Sequence, residues 1–335
     1  MAEKTKRVIN AEPQNKVTSV LMSWEGALVL LFIVLNIFNT IISPSYNVEN
    51  VLREMPKYLA EIFMLFPMAY ILILGDIDIS VGSIVCLSAT MACFASNAGI
   101  PMVLVVVICL LVGTLCGFIN GVLMTNFTEL PSMIVTLATQ IVFRGIAEIT
   151  LGSGGSVSLQ DTDGFNALAQ MVGIIPYVFF LVVIAFIIFA VVLHLTTFGR
   201  KLYAIGSNRV AARYAGIEVE KCRLIVFTVM GLMAGFCALF LTSALFGSNT
   251  TTGQGFEMDV IAMAVFGGVA TTGGKGNLAG AFISAFIIVL FRIALGQINM
   301  NSQLILVIIG LLLIIAVLVP GIRNALKSGK KAKVV

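Results

Sequence analysis

Residues 58–96 read YLAEIFMLFPMAYILILGDIDISVGSIVCLSATMACFAS. The apolar runs 58–75 and 79–96 each approach the roughly 20 residues that a helix needs to cross a bilayer core. Between them lies Gly75-Asp76-Ile77-Asp78-Ile79-Ser80-Val81-Gly82, where two carboxylates and two glycines divide an otherwise continuous apolar stretch. An ionisable group inside a span is costly, so it faces protein interior or a water cavity. Non-helical backbone at membrane depth is tolerated only in the same surroundings. The segment therefore reads as a broken helix whose Asp76, Asp78 and Ser80 line a pathway. A tight turn, with Asp78 or Ser80 capping the helix from Val81, fits the same residues. The two readings are compatible, because a cap at a broken helix can also line a path.

The rest of the chain extends this pattern. Of 335 residues, 59% are hydrophobic and 11% charged, and the mean hydropathy is +1.07. Soluble domains average about 45–50% apolar and about 25% charged residues. These values exclude a disordered chain, a secreted disulfide scaffold, a nucleic-acid binder and most cytosolic enzymes. Apolar runs recur at 26–43, 58–75, 79–96, 101–124, 131–151, 174–196, 222–246, 258–272, 277–296 and 302–320. The expected fold is an all-α polytopic membrane protein of about ten transmembrane helices.

The basic residues orient it. Lys4, Lys6, Arg7 and Lys16 lie in the N-terminal tail, and Arg200, Lys201, Arg209, Arg213, Lys221 and Arg223 lie around the 197–223 loop. Lys275 occupies a short turn, and Arg323, Lys327, Lys330, Lys331 and Lys333 end the chain. Ten spans with both termini cytoplasmic put these sixteen on one side, as the positive-inside bias requires. Only Arg53 and Lys57 fall outside, while Arg144 and Arg292 lie within spans. The chain divides into a cytoplasmic tail (1–25), a transmembrane domain (26–320) with a cytoplasmic loop at 197–221, and a basic C-terminal tail (321–335). The net charge of +4 reflects contact with anionic lipid or a partner, not with nucleic acid. The polar start lacks the form of a cleaved signal peptide, so the first run is expected to be a retained anchor. Cys86, Cys93, Cys109, Cys116, Cys222 and Cys237 fall in apolar stretches without a CxxC spacing, and are expected to be free and buried.

Other polar residues break the apolar pattern. Arg144 and Glu148, four apart on the fifth span, can pair along one helix face. Glu61 and Arg292 lack local partners and are candidates for pairing across helices, with snorkelling as the alternative for Arg292. Glu257 and Asp259 begin the eighth span, where acids favour a helix N-terminus, and His194 ends the sixth at the interface. No catalytic or metal-binding constellation occurs. Gly267–Gly276 departs from a phosphate loop at Val269 and Gly276, and reads as a tight glycine-rich turn. The energy for any transport must come from another subunit or an ion gradient.

The loop from Thr197 contains Phe198-Gly-Arg-Lys-Leu-Tyr-Ala-Ile-Gly-Ser-Asn-Arg-Val-Ala-Ala-Arg-Tyr-Ala-Gly-Ile217. Asn208 can cap a short helix from about Arg209 to Tyr214, with Gly216 ending it in a left-handed conformation. Such a helix suits docking into a partner's groove and equally suits resting on lipid headgroups.

With GDIDISVGS at 75–83, TFGRKLYAIGSNRVAARYAGI at 197–217 and FEMDVIAMAVFGGVATTGGKGNLAG at 256–280, the chain resembles the permease subunits of bacterial ABC sugar importers. That group includes the ribose, rhamnose, related pentose and autoinducer-2 systems. FING at 118–121 and LPSMIVTLATQIVFRGIA at 130–147 support the resemblance, which covers about 25–325. One departure is Asp76, where the family usually shows a second glycine.

The resemblance implies a homodimer in the bacterial inner membrane, a cytoplasmic ATP-binding subunit and an extracytoplasmic sugar-binding protein. ATP and Mg would belong to the ATPase, leaving this chain without cofactor or metal and not itself an enzyme. Arg200, Ala204, Gly206, Asn208, Arg209, Ala211, Ala212, Arg213 and Gly216 would form the ATPase-coupling segment. Asp76, Asp78, Ser80, Asn120, Arg144 and Glu148 are the candidates for the substrate pathway. The alternative class is an ion-coupled secondary transporter for a small polar solute, which broken helices and embedded carboxylates also fit.

Overall fold

The computed structural model describes residues 24–43, 46–298, 300–301, 304–305, 307–308 and 310–311. The described residues are mostly helical: α1 (Trp24–Ile42), α2 (Val48–Glu54), α3 (Pro56–Ile73), α4 (Val81–Asn97), α5 (Met102–Asn126), α6 (Ser132–Leu151), α7 (Asp163–Leu168), α8 (Tyr177–Leu195), α9 (Thr197–Ser207), α10 (Arg209–Tyr214), α11 (Val219–Leu245), α12 (Phe256–Phe266) and α13 (Leu278–Gln297). The described residues also hold four short strands: β1 (Ser156–Ser158), β2 (Met171–Val172), β3 (Ile175–Pro176) and β4 (Gly247–Asn249). The antiparallel pairs are β1–β4 and β2–β3. The first ties together the glycine- and serine-rich loops after α6 and α11.

Among the described residues, six helices are long and apolar enough to cross a membrane: Pro56–Ile73, Met102–Asn126, Ser132–Gly154, Tyr177–Leu195, Val219–Leu245 and Leu278–Gln297. Leu28–Ile41 and Val81–Asn97 are shorter apolar helices. The apolar run at 258–272 yields only the 11-residue α12, because the chain turns at Gly267 and Gly268, the latter at φ +91°. Most of the run at 302–320, the C-terminal tail and nearly all of the N-terminal tail lie outside the described residues.

α3 sits at the centre. Its apolar residues run all round the helix, and every residue from Leu59 to Ile73 is buried, as expected for a helix enclosed by others. It packs against α8, α11, α12 and α13. Phe66, for example, lies 5.6 Å from Phe189 and 6.1 Å from Phe282 between ring centroids.

The tightest crossing joins α5 and α11. Gly113 and Gly117 present no side chain, so the two backbones touch. A Cβ on Gly117 would lie 2.4 Å from Phe227 O, and one on Gly231 would lie 2.1 Å from Gly113 O. Small residues four apart permit this approach, and dispersion between the backbones then holds it.

Glu61 and Arg292 do pair across helices, and Arg292 does not snorkel. Its Nη1 lies 3.4 Å from Glu61 Oε2 and its Nη2 2.5 Å from Asp259 Oδ1. One buried guanidinium thus joins α3, α12 and α13. The six cysteines are free and buried, as expected. His194 is exposed in the last turn of α8.

Candidate functional site

The break after α3 has a local cause. Gly75 takes φ +78°, a conformation that a side chain disfavours. Its N–H donates to Leu72 O (2.9 Å), while Asp76 N–H donates to Ile71 O (3.0 Å). This pattern closes the helix and satisfies two of its terminal carbonyls.

Residues 76–79 then run non-helically, with Asp76, Asp78 and Ile79 buried and Ile77 half-buried. Their backbone cannot be left without partners. The start of α6 supplies them: Ile77 N–H donates to Ser132 Oγ (3.0 Å) and Ile79 N–H to Thr136 Oγ1 (3.2 Å). Asp78 Oδ1 accepts from Ser80 N (2.9 Å) and from Ser80 Oγ (2.7 Å), fixing the turn into α4. The broken helix and the capping turn are therefore one structure. Asp78 thus holds the N–H of the N-cap residue Ser80, whose own side chain makes no cap bond to α4.

Ser80 Oγ also accepts from Asn120 Nδ2 (2.7 Å). Asp78, Ser80 and Asn120 are fully buried. Among the described residues, Asp78 Oδ2 and Asn120 Oδ1 have no hydrogen-bond partner, nor does Glu257 Oε2 at the start of α12. Glu257 faces the same helix start, since a Cβ on Gly82 would lie 2.5 Å from its Oε2. This buried region holds several acceptors without donors.

Asp76 faces a different environment. It is buried at 3% exposure and takes a forked pair from Arg223, with Nε at 2.8 Å and Nη2 at 3.1 Å. Arg223 Nη1 donates to Met124 O at the end of α5 (2.7 Å). A second guanidinium reaches the same carboxylate: Arg209 Nη2 lies 3.2 Å from Asp76 Oδ1 and donates to Leu74 O at 3.3 Å. Two cations thus offset the cost of one buried carboxylate.

Arg209 opens α10, which is built as its sequence predicts. Asn208 Oδ1 accepts from Ala211 N (2.9 Å), and Gly216 follows the helix at φ +80°. α9 is lodged between the end of α3 and the glycine turn. A Cβ on Gly206 would lie 1.7 Å from Ile73 O. Gly274 N–H donates to Ile73 O (2.8 Å), and Tyr203 Oη donates to Gly276 O (2.7 Å). Burial raises the Tyr203 phenol above its ordinary pKa, which keeps that donor protonated.

The structure thus brings 75–80, 197–217 and 267–276 to one junction. Arg200, Asn208, Ala211, Arg213 and Gly216 are exposed, Ala204, Gly206 and Arg209 half-buried, and Ala212 buried. Val210 and Tyr214 are exposed on the outer side of α10, at 65% and 91%. Arg213 pairs with Glu220.

The expected Arg144–Glu148 pair does not form. Arg144 Nη1 donates instead to the carbonyls of Thr250 (3.0 Å) and Thr252 (2.7 Å). Two fixed backbone acceptors hold one guanidinium better than a mobile carboxylate on its own helix. The loop so held packs its Gly253 against Gly82, so Arg144 reaches the Asp78 region through backbone. Glu148 is exposed and makes no ion pair among the described residues.

Arg223, Ser132, Thr136 and Glu257 are site residues that the sequence reading left out. Ser132 and Thr136 stand four apart on one face of a span, a spacing that could have revealed them. In the sequence Arg223 stands only as one more basic residue at the edge of the 197–223 loop.

A family model for the permease component of branched-chain amino acid transport systems matches residues 55–317. The chain belongs to that permease family. It is therefore a membrane permease subunit and not an enzyme, with ATP hydrolysis housed in a separate subunit. The permease is 33% identical over 300 residues to the ribose import permease protein RbsC of Bacillus subtilis, covering 89% of this chain and 92% of the relative. Against the RbsC of Haemophilus influenzae the identity is 30% over 298 residues, covering 88% and 92%. Against the D-allose transport system permease protein AlsC of Escherichia coli it is 31% over 319 residues, covering 93% and 97%. No solved structure matches the permease.

Proposed function

We propose that this chain forms the translocation pathway of an ABC importer for a monosaccharide, as one half of a homodimer in the bacterial inner membrane. Both termini are cytoplasmic, the permease domain spans 26–320, and the 197–221 loop docks onto the ATPase. An extracytoplasmic binding protein delivers the sugar. The relatives named for ribose and D-allose import support the substrate class.

The observation that carries the coupling assignment is the two-sidedness of α10. Val210 and Tyr214 face outward, while Arg209 reaches inward to the broken helix. A partner gripping the outer side thereby has hold of the segment that interrupts α3 and α4. Closure of the ATPase halves on ATP would move that segment, alternating the pathway between inward- and outward-facing states as a rigid-body step.

Asp78, Ser80, Asn120 and Glu257 line the path. Sugar hydroxyls both donate and accept, and the free acceptors on Asp78, Asn120 and Glu257 suit such a ligand. Arg144 shapes the path through the 250–253 backbone. Asp76 belongs to the coupling side of the break.

The test is uptake of labelled ribose and D-allose into proteoliposomes holding the permease, its ATPase and its binding protein. Uptake is expected only with ATP and all three components. Uptake by the permease alone on a proton or sodium gradient would establish the ion-coupled alternative instead.

A further inference from the structure

We infer that Arg209–Asp76 is the latch that transmits movement of the 197–217 segment to the broken helix, with Arg223 as its fixed anchor. The inference rests on the importer reading and adds the residues that carry the stroke. Asp76 Oδ1 is shared: Arg223 Nη2 lies at 3.1 Å and Arg209 Nη2 at 3.2 Å. The two arginines are held very differently. Arg223 is 2% exposed, forks both oxygens of Asp76 and is tied to the end of α5 through Met124 O. Breaking it away would leave Asp76 Oδ2 and Met124 O, both on buried residues, without the donors it supplies. The Arg209 side chain is 35% exposed, holds Asp76 by one nitrogen, and can be rehydrated when it lets go.

The position of Asp76 gives this asymmetry mechanical meaning. Asp76 is the first residue beyond the helix stop, and Asp78 lies two residues on. Ile77 between them is hydrogen-bonded by side chains of α6, its N–H donating to Ser132 Oγ and its carbonyl accepting from Thr136 Oγ1. Arg209 also holds Leu74 O, so one guanidinium spans the end of α3 and the start of the break. Movement of α10 therefore pulls on the end of α3 and on the non-helical segment that positions Asp78, while Arg223 keeps Asp76 attached to α11. Asp76 and Arg209 act as positioning residues that need not touch the sugar.

The decisive quantity is sugar moved per ATP hydrolysed, measured on the reconstituted complete importer with wild-type, Asp76→Asn, Arg209→Gln and the double variant. Each single change is expected to lower that ratio about tenfold, within the roughly 5–150-fold range of typical site-to-site coupling. The double variant is expected to match Asp76→Asn alone, because that change already releases Arg209 as well as weakening the Arg223 fork. Arg209→Lys, which keeps the charge, is expected to recover part of the ratio. Single effects that multiply in the double variant, or an Arg209→Gln ratio within twofold of wild type, would overturn the latch. If Asp76→Asn fails to assemble, Arg209→Gln against Arg209→Lys decides alone, since Arg209 is partly exposed. A wild-type complex without ATP-driven uptake overturns the importer reading and the latch with it; normal wild-type uptake with unaffected variants overturns the latch only.

Discussion

Gly206→Ala is the sharpest probe of the junction. A Cβ at this position would lie 1.7 Å from Ile73 O and 2.5 Å from Gly274 N. Both neighbours are backbone, so neither can rotate away. An ordinary contact needs about 3.4 Å, so α9 must retreat by roughly 1.7 Å. The Tyr203 Oη–Gly276 O bond (2.7 Å) joins α9 to the turn, and the Cβ would also wedge against both ends of the Gly274 N–Ile73 O bond (2.8 Å), which joins the turn to α3. Losing both costs about 0.5–1.5 kcal/mol each, and the overpacking itself adds about 1–3 kcal/mol. The expected destabilisation of the junction is thus about 2–6 kcal/mol. Hydrogen exchange on the reconstituted importer should show faster exchange at Gly274 and along α9, while the α5–α11 crossing keeps its protection. Sugar moved per ATP should fall together with that local protection. Unchanged exchange at Gly274 with normal uptake would refute the reasoning, because no retreat of α9 would then have occurred.

Other perturbations follow from the same geometry. Arg223→Met leaves Asp76 buried with only the half-exposed Arg209, and should destabilise the protein by about 3–5 kcal/mol; adding Asp76→Asn should recover much of this in a mixed-micelle unfolding titration. Ser132→Ala with Thr136→Val removes the acceptors for Ile77 N–H and Ile79 N–H, and should cost about 1–3 kcal/mol per orphaned group in the same titration. Arg144→Gln should loosen the 250–253 loop and lower uptake, whereas Glu148→Ala should stay within about 0.5 kcal/mol of wild type; comparable losses from both would contradict the observed partners of Arg144.

Much of this architecture was legible because the bilayer imposes simple rules. Apolar stretches of sufficient length gave most of the helices, and Asn208 and Gly216 fixed α10 because capping chemistry is local. The half-length α12 was less visible, since the apolar run continues through Val269 and only glycine geometry ends the helix. The roles of Asp76 and Arg144 were hidden for a common reason. Each is decided by partners far along the chain, Arg209 and Arg223 for one and the 250–252 carbonyls for the other. Spacing along one helix suggested Glu148 to Arg144, but nearness in sequence only permits a contact. The pairing of Glu61 with Arg292 was anticipated in kind, because two buried charges without local partners must find one another or another compensating group.

The glycine seam between α5 and α11 has a consequence for motion. Backbones in direct contact have no side chains to re-pack, so the two helices cannot slide without opening a void along their length. They constitute a stator: a single stiff body against which other parts must turn. Arg223 is rooted in this body at both ends, through α11 and through Met124 of α5. Whatever swings during a transport cycle therefore swings relative to a frame that includes the anchor of Asp76, and a covalent bond across the seam should leave turnover intact.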